Sequence, residues 1–345
     1  MPTVTPDELR DFSRRLLVAL GSPESAARTV AGHLVDANLA GHDSHGVIRL
    51  PQYAEQVEAG QILPAAQPTV LSEAPSAAVI DGGRTWGPVA ANFATELLLA
   101  KANAAGFAGV GVRNAGHVGR LGAYVGALAE AGLVAQAWCN IRGVVRMAPW
   151  GGTEARLGTN PIAIALPARG RPFVLDMTTT VVAEGKVRVA KIAGKSIPKG
   201  WVLDRAGAPT ENPADLYDGG TLLPLGDAAG YKGFGLAFIA DALAGILGGP
   251  GCGAMPGVPY GNGLFLTAFR PDAFLPRGEY ESRLEEFVGY LKSSPRAAGV
   301  EEILLPGEIE ARTATARAKG IPVEAGAWKQ LTDLAAQLAV APPAA

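Results

Sequence analysis

Glycine is the feature that most limits what this chain can fold into. Its 45 glycines and 26 prolines lie largely in short clusters between apolar runs. Glycine permits positive φ and close backbone approach, so the pattern predicts many short elements joined by tight turns. No period of the kind a solenoid shows is present, and the only low-complexity tract is the terminal run from Ala341 to Ala345. With 345 residues and 48% hydrophobic content, the chain has core enough for two domains.

The first seventy residues read as helical. Thr5-Pro6-Asp7-Glu8 combines a capping residue, proline at the first helical position and a glutamate at the third, which predicts a helix running towards Leu20. Ser22-Pro23-Glu24 repeats the device, and Ala27, Val30, Ala31, Leu34 and Val35 keep helical spacing until Gly41 stops it. A third helix is expected over Arg49 to Ala59. From Ala77 the period changes to a mixed α/β pattern. Strands are predicted at 106–114, 134–140, 161–166, 173–176 and 264–269, with helices at 89–106, 123–131 and 233–247. From about Glu308 the chain returns to helix, and the segment from Trp328 to Ala339 is expected to pack back on the N-terminal helices.

Charge narrows the class of partner. Thirty basic and 32 acidic residues give a net charge of −2 without a basic block, which argues against nucleic acid and anionic membranes and favours small molecules. Cys139 and Cys252 are too few for a disulfide scaffold or a four-cysteine metal site. The acidic N-terminus does not read as a secretory signal, and the apolar stretch from Gly235 to Gly249 is short and holds Asp241. These features together point to the cytoplasm.

Chemistry concentrates in His42-Asp43-Ser44-His45-Gly46-Val47-Ile48-Arg49-Leu50. Two of the chain's four histidines sit there, with a hydroxyl, a carboxylate and a guanidinium, although charged residues are only 18% of the whole. Imidazole titrates near neutrality and exchanges protons at working pH, while the planar fork of Arg49 suits a carboxylate. The run therefore suggests proton transfer on a small organic acid. Isolated Ser-His pairs near helix ends are more often caps. A hydrolase built on Ser44, His45 and Asp176 lacks a Gly-x-Ser-x-Gly elbow, and a zinc module on His42, His45 and His117 lacks metal spacing.

The Gly-x-Gly-x-x-Gly turn that seats a pyrophosphate is absent. Gly109-Val110-Gly111-Val112-Arg113-Asn114 fails at its third glycine, and Ala193-Gly194-Lys195-Ser196 lacks the leading glycine of a nucleotide-hydrolase loop. Any dinucleotide must be held otherwise. Three loops are candidates: 114–122, whose amides are expected at a helix N-terminus with His117 and Arg120 beside them; 176–180, rich in threonine; and 230–235, with Lys232.

Five blocks in one order then become recognisable: HDSHGVIRLPQYAEQVEAGQI, NAGHVGRLGAY, APWGGTEARLGTNPIAIALP, VLDMTTTVVAEGKVRVAKIAGKSIPKGW and GYKGFGLAFIADAL. Over nearly its whole length the chain resembles the malate/L-lactate dehydrogenase family that is unrelated to the Rossmann enzymes. The resemblance implies an α+β fold, with a helical domain at 1–75 joined by helices at 308–345, and an inserted domain at 76–307 whose mixed or largely antiparallel sheet binds NAD(P). It also implies a homodimer acting on a 2-hydroxy or 2-keto acid. By position, the family's acid/base histidine falls on His45, its hydroxyl partner on Ser44 and its carboxylate arginine on Arg49. His117 takes either a catalytic or a cofactor-contacting role, and Thr159 lies near the substrate.

Cofactor contacts implied in the same way are Gly119, Arg120, Leu121, Met177, Thr178, Thr179, Lys232, Gly307 and Glu308, with NAD favoured over NADP and no metal. Cyclic-imine reductases of the family carry aspartate where this chain has Lys186. That departure favours hydroxy acids, and a cyclic-imine or diketo-acid reductase is the alternative. Arg142 and Arg146 are placed to receive a second acidic group, as in malate-like or sulfolactate-like substrates. The sequence leaves open whether His45 or His117 moves the proton.

Overall fold

The computed structural model describes residues 2–192 and 194–343. Ala193 of the phosphate-loop-like run, Met1 and the last two alanines lie outside the described residues.

The chain opens with β1 (Thr3–Val4), α1 (Pro6–Ala19), α2 (Glu24–Leu39) and α3 (Leu50–Glu58). At α1 the capping box forms as the spacing predicts: Thr5 Oγ1 accepts from the Glu8 amide, and the Glu8 carboxylate accepts from the Thr5 amide. Before α2 the structure differs from the expected cap. Pro23 is the cap residue, and the buried Ser22 hydroxyl instead accepts the indole N–H of Trp86 at 2.8 Å. A buried indole needs an acceptor, and Ser22 supplies it.

Beyond α2 the chain doubles back in two short 3-10 turns, Asp43–His45 and Val47–Arg49. Asn38 organises this reversal: its Oδ1 accepts from the Val47 amide at 2.9 Å and its Nδ2 donates to Asp43 Oδ1 at 2.6 Å. Gly46 lies so close to the Asn38 amide that a Cβ there would overlap it.

The middle of the chain supplies β2 (Thr69–Ala74), β3 (Ala77–Asp81), α4 (Gly87–Ala105), β4 (Phe107–Ala115), α5 (Gly122–Glu130), β5 (Val134–Arg142), β6 (Ile162–Leu166) and β7 (Phe173–Met177). There follow α6 (Glu184–Ile192), β8 (Val202–Leu203), β9 (Pro209–Thr210), β10 (Thr221–Leu222), α7 (Tyr231–Asp241), β11 (Gly261–Phe269), α8 (Arg277–Lys292), α9 (Glu308–Arg317), β12 (Ile321–Pro322) and α10 (Ala325–Gln337). The apolar run expected as one helix continues from α7 as a π-helical turn, Ala242–Leu247.

Seven strands form an open mixed sheet in the order β2-β3-β4-β11-β5-β6-β7. Only β3 and β4, joined through α4, run parallel; every other neighbouring pair is antiparallel. β11 lies at the centre and starts at Gly261, three residues before the predicted strand, because Gly261, Asn262 and Gly263 pair with Arg142, Ile141 and Asn140.

Three cores result. The sheet buries Ile80, Val110, Val112, Leu264 and Leu266 under the small-residue face Ala90, Ala91, Ala94 and Leu98 of α4. The N-terminal helices bury Leu9, Phe12, Leu34 and Tyr53 together with Leu331, Leu334 and Ala335 of α10, so the C-terminal helix does return to them. A smaller core of Val182, Val187, Ile197, Val202, Leu216 and Leu222 supports α6. Among the described residues no helix is long and apolar enough to cross a membrane.

Candidate active site

At the 3-10 turns after α2, His45 and His117 face each other. His45 Nδ1 lies 3.3 Å from His117 Nε2, with the rings parallel to within 3° and their centroids 5.3 Å apart. His117 Nδ1 is 2.9 Å from the hydroxyl of Tyr53, one turn beyond Arg49 on α3. The backbone of His117 is fixed from behind by Gly87 at the start of α4, where a Cβ would strike the His117 carbonyl.

Burial pushes both imidazoles well below the usual histidine range, and the neighbouring Arg49 guanidinium pushes them further. Burial pushes the Tyr53 hydroxyl up, which keeps it protonated. At neutral pH the array Tyr53–His117–His45 is therefore uncharged. His45 Nε2 has no partner among the described residues. Arg49 donates from Nε to the Ser44 carbonyl at 2.6 Å and from Nη1 to Gln52 Oε1 at 2.8 Å.

A cavity of about 490 Å³ opens on this array. Of the residues singled out in the sequence, Ser44, His45, His117 and Thr159 line it, as do Gly119, Arg120 and Leu121 on one loop and Met177 and Thr178 on another. Lys186 also lines it, exposed and without an ion pair among the described residues. A narrower annex of about 120 Å³ shares Ser44, His45, His117, Thr159 and Thr178 and adds Arg49.

Other candidates stand outside these linings. Thr179 is buried, and both its amide and its hydroxyl donate to the Thr159 carbonyl, at 3.1 and 2.9 Å. Lys232 is exposed at the start of α7, beside the Tyr231 ring. Gly307 packs on Val174 of β7, and Glu308 accepts from Lys292 at 2.7 Å.

The loop before α5 departs from the expected row of free amides. The amide of Val118 donates to Asn262 Oδ1 at 3.0 Å, that of Arg120 to His33 Nε2 at 3.0 Å, and that of Gly122 to Asp176 Oδ2 at 2.7 Å. The protein's own carboxylate thus occupies the N-terminus of α5, where an anion is favoured. Burial raises the Asp176 carboxyl, opposed by the Gly122 amide and Arg120. His33 is pushed down to about 4 by burial and then by Arg120, and stacks on Tyr124.

Several site residues carry no local signal in the sequence. Asn262 borders both cavities and ties the His117 loop to β5, donating to the Asn140 carbonyl at 3.0 Å. Glu184 and Arg188 belong to α6, whose glycine at the second position hides it in the sequence. Tyr53 reaches the His117 ring from α3. His42 pairs with Glu310 at 3.3 Å, and among the described residues no group of three or more His, Cys, Asp or Glu side chains stands ready to hold a metal ion.

The sequence profile described as malate/L-lactate dehydrogenase matches residues 4–332 of this chain. Malate dehydrogenase of Pyrococcus abyssi is 37% identical over 97% of this chain and 94% of its own length. The solved structure of sulfolactate dehydrogenase from Methanocaldococcus jannaschii is similar with a TM-score of 0.88 at 34% identity, covering 98% of each chain. That of delta1-piperideine-2-carboxylate reductase from Pseudomonas syringae pvar. tomato is similar with a TM-score of 0.84 at 30% identity, covering 97% of this chain and 100% of the other.

Proposed function

Because the chain belongs to the malate/L-lactate dehydrogenase family, we propose that it is an NAD(P)-dependent oxidoreductase that interconverts a small 2-hydroxy acid and its 2-keto acid. The observation that carries the reading is the uncharged Tyr53–His117–His45 array beside Arg49, at the junction of a large chamber and a small annex.

Arg49 binds the substrate carboxylate, desolvated by the annex so that the charge-assisted bond is strong. His45 Nε2 takes the hydroxyl proton. Its Nδ1–H then donates to His117 Nε2, and the charge is shared between two stacked rings whose far end rests on Tyr53. His45 and His117 act as one unit, with His45 the group that touches substrate. Ser44 orients the imidazole or relays its proton, and Thr159 lies near the substrate. In the reverse direction His45 protonates the carbonyl oxygen. Such positioned acid/base catalysis contributes on the order of a hundredfold to ten thousandfold.

The chamber suits a dinucleotide in its donor set: among the described residues the buried Arg120 Nε has no hydrogen-bond partner and Lys186 no ion pair, and Thr178 and Met177 line the same chamber. When bound, the nicotinamide gives or accepts the hydride. Gly119, Arg120, Leu121, Met177 and Thr178 would hold it; Thr179, Lys232, Gly307 and Glu308 would act from behind or beside the lining. Arg120 faces Asp176 at 3.9 Å and His42 faces Glu310 at 3.3 Å, which leaves fewer of the chamber's cations for a 2′-phosphate and supports NAD over NADP.

The sheet body at 76–307 is read as the dinucleotide domain, distinct from a Rossmann fold, and the helices of 1–75 with 308–345 as the second domain. Exposed Phe238, Ile239, Ile246 and Leu247, contiguous along α7 and its π-turn, support a homodimer. The two free cysteines accord with the cytoplasm. A panel of 2-keto acids followed at the nicotinamide absorbance tests the reading. Consumption is expected, faster with NADH than NADPH; no consumption with any acid would contradict it.

A further inference from the structure

Buried polar side chains behind the chamber cost free energy unless a partner meets them. Arg142, which the sequence places to receive a second acidic group, faces away from the site: it is fully buried and donates to the carbonyls of Pro250, Pro259 and Asn262. It braces the end of β5. His33 is different, because it reaches out of the helical core to the loop that lines the chamber.

His33 lies midway along α2, beside the buried Val30 and Leu34. One face of its ring stacks on Tyr124, with centroids 5.2 Å apart and planes within 13°, and the Tyr124 hydroxyl donates to the Val118 carbonyl at 2.6 Å. At the ring edge Nε2 accepts the Arg120 amide at 3.0 Å. That approach requires glycine at 119, where φ is +75° and a Cβ would overlap His33 Nε2. Accepting fixes the tautomer: Nε2 presents its lone pair and Nδ1 carries the proton. Burial, with Arg120 beside it, keeps the ring neutral and able to accept.

The loop is pinned at three amides, by Asn262 at Val118, by His33 at Arg120 and by Asp176 at Gly122. The middle bond holds the tip, Gly119 to Leu121, which lines the chamber. Five residues further along the same helix, Asn38 holds the turn that carries His45. At about 1.5 Å per residue the two anchors are roughly 7.5 Å apart on one rigid element.

We propose that His33 is a positioning residue for the dinucleotide: it holds Gly119, Arg120 and Leu121 in cofactor-binding position and, through α2, in register with His45. The inference rests on the dehydrogenase reading and adds to it a residue outside the chamber lining. His33 acts through the Arg120 amide and touches neither cofactor nor substrate.

The test has two readouts besides activity. Amide hydrogen exchange across 118–122 is measured on the cofactor-free chain, and the dissociation constant of NADH or NADPH, whichever the wild type binds more tightly, by nicotinamide fluorescence. KM values for dinucleotide and keto acid are then measured separately. His33→Leu removes the acceptor at similar volume, whereas His33→Gln returns one, since its Oε1 reaches as far as Nε2. His33→Leu is expected to speed exchange in the loop and to raise the dinucleotide dissociation constant about tenfold, the worth of one hydrogen bond. KM for the dinucleotide should rise with it, while KM for the keto acid stays near its wild-type value. His33→Gln should restore most of the loss. Gly119→Ala breaks the same contact from the loop side and should act like His33→Leu, which keeps the test open where His33→Leu does not fold. Unchanged loop exchange or unchanged dinucleotide affinity in His33→Leu or Gly119→Ala, or a His33→Gln chain as impaired as His33→Leu, overturns the role of His33 and leaves the dehydrogenase reading standing. A wild-type chain that binds neither NADH nor NADPH overturns both.

Discussion

His45, His117 and Tyr53 come from three places in the chain, and the contact between the imidazoles spans 72 positions. The sequence displays Ser44, His45 and Arg49 as a dense local run, and His117 through its glycine-flanked loop. It does not display that the two histidines bond to each other, since that depends on Gly87 and Asn262 seating the loop. The question of which histidine moves the proton was therefore open in the sequence and becomes, in the proposed mechanism, a question about a pair.

Burial of neutral histidines also has a consequence for stability. His33 has its pKa pushed down to about 4, and His45 and His117 are lowered as well, whereas in the unfolded chain each returns to about 6.5. Below pH 6.5 the unfolded state binds protons that the folded state refuses, so stability present above pH 6.5 is lost as pH falls towards 4. Urea midpoints between pH 7 and pH 5 should fall steadily. His33→Asn, which can still accept the Arg120 amide, should flatten that dependence; an unchanged slope would show that His33 does not contribute.

At the scale of elements, the legible ones are those with a chemical punctuation or a clear period. α1 has its capping box, and β4 to β7 have alternating or glycine-bounded apolar runs. α8 had no legible stripe because none of its residues is buried. β11 was read short because Gly261 and Gly263 look like turn residues, although each sits where a side chain would strike a neighbouring strand or its Asn140. α6 was missed for the same kind of reason: its second residue is glycine.

Gly185 is there because α6 rests directly on Ser44, whose Cβ would lie 2.5 Å from a Cβ at that position. Gly185→Ala should push α6 away from the 3-10 turn, at an overpacking cost of about 1–3 kcal/mol if the helix stays in place. The expected outcome is a raised KM for the keto acid with a smaller change in melting temperature. Unchanged kinetics would mean that α6 does not close the annex.

At the scale of the molecule, composition and period conveyed a mixed α/β chain with helices at both ends. The sheet order, with β11 inserted between β4 and β5 from more than a hundred residues away, was not legible, because strand pairing is set by long-range packing. The site is lined by the 3-10 turns after α2, the loop before α5, the ends of β5 and β7, α6 and the start of β11, so its residues are scattered along the chain. The exposed face of α7 belongs to this scale as well. Ile246→Asp should convert the proposed dimer to monomer in sedimentation velocity, and a wild-type chain that sediments as a monomer would show that this face does not pair two copies.

In the proposed mechanism His45 carries the proton for hydride transfer at a carboxylate anchored by Arg49. The direct measurement is kcat for oxaloacetate reduction, followed at the nicotinamide absorbance, in the wild type and in His45→Gln with its fold verified by circular dichroism. A fall on the order of a hundredfold to ten thousandfold is expected; a folded His45→Gln enzyme that keeps near-wild-type turnover would show that His45 does not carry the proton.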